Sequence, residues 1–478
     1  MTRWLDVLQR YTGKSAFIAF FILCALPTGL MMALLTLPGY PPDERHHLAR
    51  AEGLLRGEIL AERQAYTDPV THLPSWEAGL KVDTGLFQAS GTQGPGIANS
   101  QVLTAAQFLA MRTQPPDHSL TWENVANTTQ YFPVAYVPAT LALALGKAVN
   151  APPYICFYLA RLFMLAAFLT LGVLTLWLTE YGEAALLTVL ILPSTLLLAG
   201  AVNQDGILIG LACLACAALT RGTPGFRRLS LILVALFLVS KAAYIPLLGV
   251  FLLPCCGLNF WRRVRDAAIA CIPVLVWVVL VALFVIVPTG HIIYHPGPLY
   301  AGDSSQLLDQ TNPAANLHIL LAQPLRLLTL PWSSTLAQGT SILRGAIGIQ
   351  YSFERIFPSL YCQLWWACIV VAFAGLAFSP RPGAARGNAL FVSFLLLATY
   401  WLILLVAYVD WTEVGMDFIW GMQGRYLLPL LPFLLFVIPQ LRGRFKVHPF
   451  VPAIPSILMG LAGLGYLPMK LVFNYYLH

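Results

Sequence analysis

The residues best suited to chemistry stand just after the first long apolar run. Pro41-Pro42-Asp43-Glu44-Arg45-His46-His47-Leu48-Ala49-Arg50 holds acids, imidazoles and guanidinium groups in one short stretch. If Pro41 and Pro42 open a helix, Asp43 and Glu44 suit its positive end, and Asp43 and His47 fall at i, i+4 on one face. A carboxylate beside an imidazole can take a proton from an attacking hydroxyl. The same residues would also suit a solvated juxtamembrane helix whose acids merely cap it.

Other polar residues interrupt apolar runs further along. Arg161, Asn203-Gln204-Asp205, Lys241 and Arg425 each border or enter such a run. Taken singly, each reads as a charge snorkelling to the membrane edge. Taken together they describe a polar site, because ionisable groups in spans are costly and tend to line cavities. Arg and Lys there can hold a phosphate whose lipid tail stays in the bilayer. The cations would stabilise the departing phosphate and Asp43 would activate the acceptor. Asp205 could share a divalent metal, Mg or Mn, with Asp43, or hold the acceptor.

The elements that must position these groups are membrane spans. Of 478 residues, 58% are hydrophobic and 10% charged, with mean hydropathy +0.71, so the chain reads as a single polytopic, all-α membrane domain over 1–478. The net charge of +7 does not point to nucleic acid, because the basic residues form short clusters between apolar runs, as span-orienting charges do. The nine cysteines lie in or beside apolar runs, and no disulfide framework or zinc spacing follows. No Walker A loop is present. The glycines of 85–96 sit in a Gln/Thr/Ser loop and read as flexibility rather than phosphate binding.

Arg3, Arg10 and Lys14 before the first span place the N-terminus in the cytoplasm. About eleven spans are expected, near residues 15–37, 154–178, 184–202, 206–220, 229–240, 244–258, 267–288, 358–378, 389–409, 426–440 and 450–473. The first external loop covers 39–153 and the second 289–357, with an amphipathic piece at 317–330 on the membrane surface. The apolar piece 131–149 is taken to lie in the outer interface. A full crossing there would put several of the later basic clusters outside. This arrangement gathers Asp43, Arg161, Asp205, Lys241 and Arg425 on the outer side.

Several short patterns carry a resemblance. They are Pro41-Pro42-Asp43-Glu44-x-x-His47-x-x-Arg50, Tyr136-x-Pro138, Tyr158-x-x-Arg161, Asn203-x-Asp205, Lys241-x-x-Tyr244-x-Pro246 and Gln423-Gly424-Arg425-Tyr426-x-x-Pro429. Over roughly 15–440 the chain resembles a bacterial membrane family of unknown function, which in turn resembles the GT-C glycosyltransferases. The resemblance implies a GT-C fold with juxtamembrane helices in the first external loop, and a polyprenyl-phosphate sugar as donor. By that likeness Asp43 matches the loop-one catalytic aspartate, Glu44 the second acid of an Asp-Glu pair, and Asp205 the second acidic position at the outer end of the third span. Together with the residue chemistry above, the expected catalytic group is Asp43, Glu44 and His47, with Arg50, Arg161, Lys241, Tyr244, Arg425 and Tyr426 at the donor phosphate. Asn203 and Asp205 support the acceptor or a metal.

Two functions are therefore expected in competition. One is a glycosyltransferase of the inner membrane, multi-pass and facing the periplasm, which moves a sugar to a glycan, lipid or protein acceptor. The other is a transporter or flippase of lipid-linked saccharides. Ionisable residues gathered at one surface, without an internal repeat, favour the enzyme.

Overall fold

The structure, a computed structural model, describes residues 2–67, 72, 74–91, 109–110, 112–287, 289–293, 307–348, 357–379, 386–440 and 447–477. Among them, six helices are long and apolar enough to cross a bilayer: Gly13–Leu35, Pro153–Leu178, Phe260–Phe284, Ser359–Phe378, Gly387–Trp411 and Val451–Tyr475. The helices Pro193–Ala199 and Gln204–Thr220, bent by 117° at their junction, make a seventh if they are one span.

The other apolar runs read as spans are short or broken pieces. Residues 184–202 fold as Glu183–Leu190, buried from Ala184 onward, and Pro193–Ala199, buried throughout. A helix that is apolar all round belongs in a protein interior as readily as in lipid. Residues 244–258 and 426–440 fall largely in 3₁₀ turns, Ala242–Leu252 and Gly424–Phe436. Pro246, Pro429 and Pro432 remove backbone donors that an α-helix would use there. By contrast, Phe260–Phe284 exposes Ile272, Leu275, Val279 and Leu283, the surface expected of a helix against hydrocarbon.

The expectation of an all-α chain needs correction in the two long loops. The first loop contains a three-stranded antiparallel sheet, in the order Glu62–Thr67, Pro74–Asp83, Leu120–Asn124. Gly79 lies opposite both Glu62 and Asn124. A side chain at Gly79 would meet the backbone of Glu123, so the close pairing requires glycine. The strand Glu62–Thr67 is exposed on both faces and offers no apolar alternation to read.

The first loop is tied down as one body. Lys147 Nζ lies 2.9 Å from both Glu52 Oε1 and Asp83 Oδ2. It thereby joins the helix Glu44–Leu55, the sheet and the helix Val137–Ala148. Within 131–149, Pro133–Tyr136 and Val137–Ala148 form a short helical run that buries Ala139, Ala142 and Leu143 and exposes Leu141 and Leu145. That length and two-sidedness fit a piece lying at an interface better than a crossing.

The loop sits on one end of Phe260–Phe284. The Trp277 indole donates to Gln130 O at 2.9 Å, and Arg63 Nη2 donates to Ile286 O at 2.7 Å. In the second loop the strands Thr289–Ile293 and Leu307–Thr311 pair, and the helices Pro313–Ala322 and Arg326–Gly348 follow. Residues 92–96, 294–306 and 349–356, parts of the glycine-rich stretch and of the second loop, lie outside the described residues, as do Arg381, Arg442, Arg444 and Lys446.

Surface labelling checks the orientation. In a background with the nine native cysteines replaced, Gln88→Cys should react with an impermeant thiol reagent added outside intact cells. Both Gln88 and Thr223 are exposed, and Thr223 lies beyond the opposite end of Gln204–Thr220. Thr223→Cys should react only after permeabilisation. External labelling at Thr223 would overturn the topology.

Candidate functional site

Local backbone places the first acid. The helix begins at Glu44, not at the prolines, and Asp43 stands before it with φ 59° and ψ 13°. Asp tolerates this left-handed conformation better than most residues. The turn sends Asp43 and Glu44 to different partners.

Glu44 points into the protein. Arg161 Nε donates to its Oε1 at 2.8 Å and Nη2 to its Oε2 at 2.6 Å, and both side chains are fully buried. The Val202 N–H reaches Oε1 at 2.9 Å and the Gly39 N–H reaches Oε2 at 3.1 Å. The remaining Arg161 donors go to Ala33 O, Thr36 O and Leu37 O at 2.8, 2.6 and 3.1 Å. All five N–H groups of Arg161 are thus engaged, and none is left for a phosphate. The pair expected at the chemistry is instead a buried clamp on the end of Gly13–Leu35, the helix Pro153–Leu178 and the turn before Gln204.

Asp43 points the other way, with its side chain 37% exposed. Its Oδ2 accepts from Arg425 Nη2 at 2.8 Å and its Oδ1 from Asn127 Nδ2 at 3.0 Å. Arg425 Nε lies 3.4 Å from Asp205 Oδ2, and Asp205 Oδ1 lies 2.6 Å from Lys241 Nζ. Four charges far apart in sequence therefore form an alternating chain, Asp43, Arg425, Asp205, Lys241. Lys241 lies over the Tyr426 ring, 4.4 Å from its centroid, and Tyr244 Oη donates to Tyr426 O at 2.8 Å.

Backbone features hold this chain of charges in place. Asn203 accepts from the Asp205 N–H at 2.7 Å as cap of Gln204–Thr220 and donates to Pro42 O at 2.9 Å, fastening the Asp205 turn to the Asp43 turn. Lys241 occupies the break between the helix Pro224–Ser240 and the 3₁₀ turn Ala242–Leu252. At Gly424 any Cβ would run into the backbone of Ile342 and Ala346, so only glycine lets Arg425 approach.

His47 and Arg50 lie behind the site. His47 Nδ1 is hydrogen-bonded to Tyr136 Oη at 2.6 Å, and burial pushes its imidazole down to about 3, so it is neutral at neutral pH. Arg50 Nη2 donates to Ile59 O and Tyr131 O at 3.0 and 2.8 Å, bracing the loop. Burial pushes Asp43 up, but the adjacent Arg425 guanidinium outweighs it and holds the carboxyl down at about 2.

Two cavities meet beside the charges. The first, about 300 Å³, is mostly apolar; Lys241 and Tyr426 line it together with Trp277 and Val281 of one spanning helix and Ile403 and Ala407 of another. The second, about 340 Å³, is lined by His46 and Asn127 from the first loop and by Val285 and Thr311. Gln130, Ile286, Asp410 and Trp411 line both.

The structure thus brings together Asp43, Asp205, Lys241, Arg425 and Tyr426, with Tyr244 and Asn203 supporting them. It draws Glu44 and Arg161 away and sets His47 and Arg50 behind. A divalent ion shared by Asp43 and Asp205 fits poorly, because the Arg425 guanidinium lies between these carboxylates. Among the described residues no group of three or more His, Cys, Asp or Glu could hold a metal. Sequence reasoning missed Asn127 and Asp410. An acid in the last turn of an apolar run, as Asp410 is, carries the same signal that singled out Lys241.

These features define a multi-pass membrane protein whose polar site lies where the first loop meets the helix ends. A family model described as Predicted membrane protein (DUF2142) matches residues 26–434, and the chain belongs to that family. No curated protein and no solved structure matches the chain.

Two measurements probe this framework. Breaking a buried ion pair by removing one partner costs about 3–5 kcal/mol, so Glu44→Ala and Arg161→Ala should each sharply lower the thermal unfolding midpoint of purified protein. Unchanged midpoints would remove the clamp. For His47 the folded value of about 3 lies below the ordinary 6.5, so the unfolded chain binds the extra proton and stability falls as pH drops from about 6.5 towards 3. His47→Gln should flatten that acid decline in midpoint-versus-pH curves.

Proposed function

We propose that this protein is a GT-C-type glycosyltransferase of the inner membrane, taking a sugar from a polyprenyl-phosphate donor to a glycan, lipid or protein acceptor at the outer face. The observation that carries this reading is Arg425. Its guanidinium is buried, one nitrogen binds Asp43, Nε lies at ion-pair distance from Asp205, and Nη1 has no hydrogen-bond partner among the described residues. Buried donors left without acceptors are costly, and an anionic oxygen is the acceptor that suits a guanidinium best. Lys241 stands two steps along the same charge chain, at the wall of an apolar cavity walled by spanning helices. Cations beside an apolar slot match a phosphate carrying a long hydrocarbon chain. The sugar comes into this reading from the Pro-Asp-Glu-x-x-His and Gln-Gly-Arg-Tyr motifs, which resemble a membrane family that in turn resembles the GT-C enzymes.

In this reading Arg425 and Lys241 hold the donor phosphate and stabilise it as it leaves. A carboxyl held at about 2 is ionised but a weak proton acceptor. Asp43 therefore orients Arg425 and offsets its charge, and the proton of the acceptor goes elsewhere. Tyr426 carries Lys241 on its ring, and Tyr244 fixes Tyr426 by its backbone.

The test is transfer by purified protein given a panel of polyprenyl-phosphate sugars, with donor binding measured in parallel. Arg425→Ala should weaken donor binding by about 10–100-fold, the worth of charge-assisted hydrogen bonds. Arg425→Lys should restore only part, since a point charge replaces a fork of donors. Unchanged donor affinity in a folded Arg425→Ala protein would sink the phosphate clamp.

A further inference from the structure

The second cavity gives this reading its missing partner for the proton. Asp410 lies in the last turn of the helix Gly387–Trp411 and lines both cavities at their seam. It makes no hydrogen bond or ion pair with any described residue, whereas Asp43 accepts from both Arg425 and Asn127, and Asp205 is paired with Lys241 and Arg425. Of the three acids around the two cavities, Asp410 is thus the one whose carboxyl group has both oxygens available. A partly buried carboxylate without partners costs free energy unless a ligand supplies a donor.

The two cavities differ in the way a lipid donor and a polar acceptor would require. One wall of the apolar cavity carries Lys241. The other cavity carries polar groups, with Asn127 hydrogen-bonded both to Asp43 at 3.0 Å and to His46 Nδ1 at 2.6 Å. Trp411, 44% exposed, lines both cavities, and an indole is a side chain on which a sugar ring can stack. Apart from tyrosines, Lys241 and His46 are the other ionisable side chains in the two walls.

We infer that the second cavity binds a hydroxyl-bearing, saccharide acceptor and that Asp410 is the catalytic base, a role that rests on the transferase reading above. The acceptor oxygen bonds to the anomeric carbon of the donor sugar as the bond from that carbon to the phosphate oxygen breaks. The hydroxyl proton passes to Asp410, and the electron pair of the broken bond stays on the released polyprenyl phosphate. Asp410 thus does the work for which Asp43 is too weak a base, and before the next turnover it gives the proton up to solvent through the second cavity.

The experiment uses the purified full chain, a polyprenyl-phosphate hexose chosen from the donor panel, and an alkyl glycoside as acceptor. Asp410→Asn should bind donor as the parent does but lose about 10²–10⁴-fold in kcat, the usual loss on removing one positioned acid/base group, and lose the acid limb of the kcat profile. Asp410→Glu should recover part of the rate. Independently of activity, dicyclohexylcarbodiimide, which reacts with protonated carboxyl groups in apolar surroundings, should modify Asp410 and spare the ion-paired Asp43 and Asp205, as read by peptide mass spectrometry. An active parent whose Asp410→Asn variant transfers at near the parent rate overturns the role of Asp410 alone. A parent that transfers from no donor in the panel overturns the transferase reading and this role with it.

Discussion

The buried contact between Glu44 and Arg161 is the constraint on which the rest of this structure depends. One carboxylate gathers a guanidinium and two backbone N–H groups, while that guanidinium also takes three carbonyls at the end of the first spanning helix. Without it, the end of that helix, the start of the first loop and the turn before Gln204 would have no common anchor. Asp43 is adjacent to Glu44 and Asp205 is three residues beyond Val202. The clamp therefore fixes the distance between the acids of the site without touching the chemistry. Because its members are 117 and 158 residues apart, it forms only after the loop and several helices have come together.

The candidate site was legible to the extent that cost is legible. Asp43, Asp205, Lys241 and Arg425 stood out because a charge bordering an apolar run must be compensated, and the structure brings them within hydrogen-bond or ion-pair reach of one another. What sequence could not separate was a charge compensated by function from one compensated by architecture. Glu44 and Arg161 carry the same signal as Asp43 and Arg425, and only the count of filled donors tells them apart. Asn127 gave no signal, since an amide in a polar loop is unremarkable until its partner is known.

The fold was legible where helices are long. Six expected spans correspond to helices that can cross a bilayer, and the other five fall on shorter or broken helices. Apolar stretches around 184–202 are hydrophobic because they are interior, and those around 244–258 and 426–440 are interrupted by prolines that the periodicity of side chains does not register. The sheet of the first loop escaped for the opposite reason: its outer strand is polar on both faces and is held by the backbone ladder rather than by a buried stripe.

The apolar cavity has one property that its volume does not convey. Val278 and Val406, from the two candidate spanning helices that wall it, are apolar side chains that those helices leave exposed, so the cavity is not sealed by the helices on either side of it. A groove that faces hydrocarbon fills with whatever chain its surroundings supply, and for such a site dilution is counted in lipids rather than in litres of water. In a bilayer the occupant competes with acyl tails, and in a micelle with the detergent itself. Apparent affinity for any lipid ligand will then follow its mole fraction in the membrane or micelle, and the choice of amphiphile becomes part of the binding equilibrium.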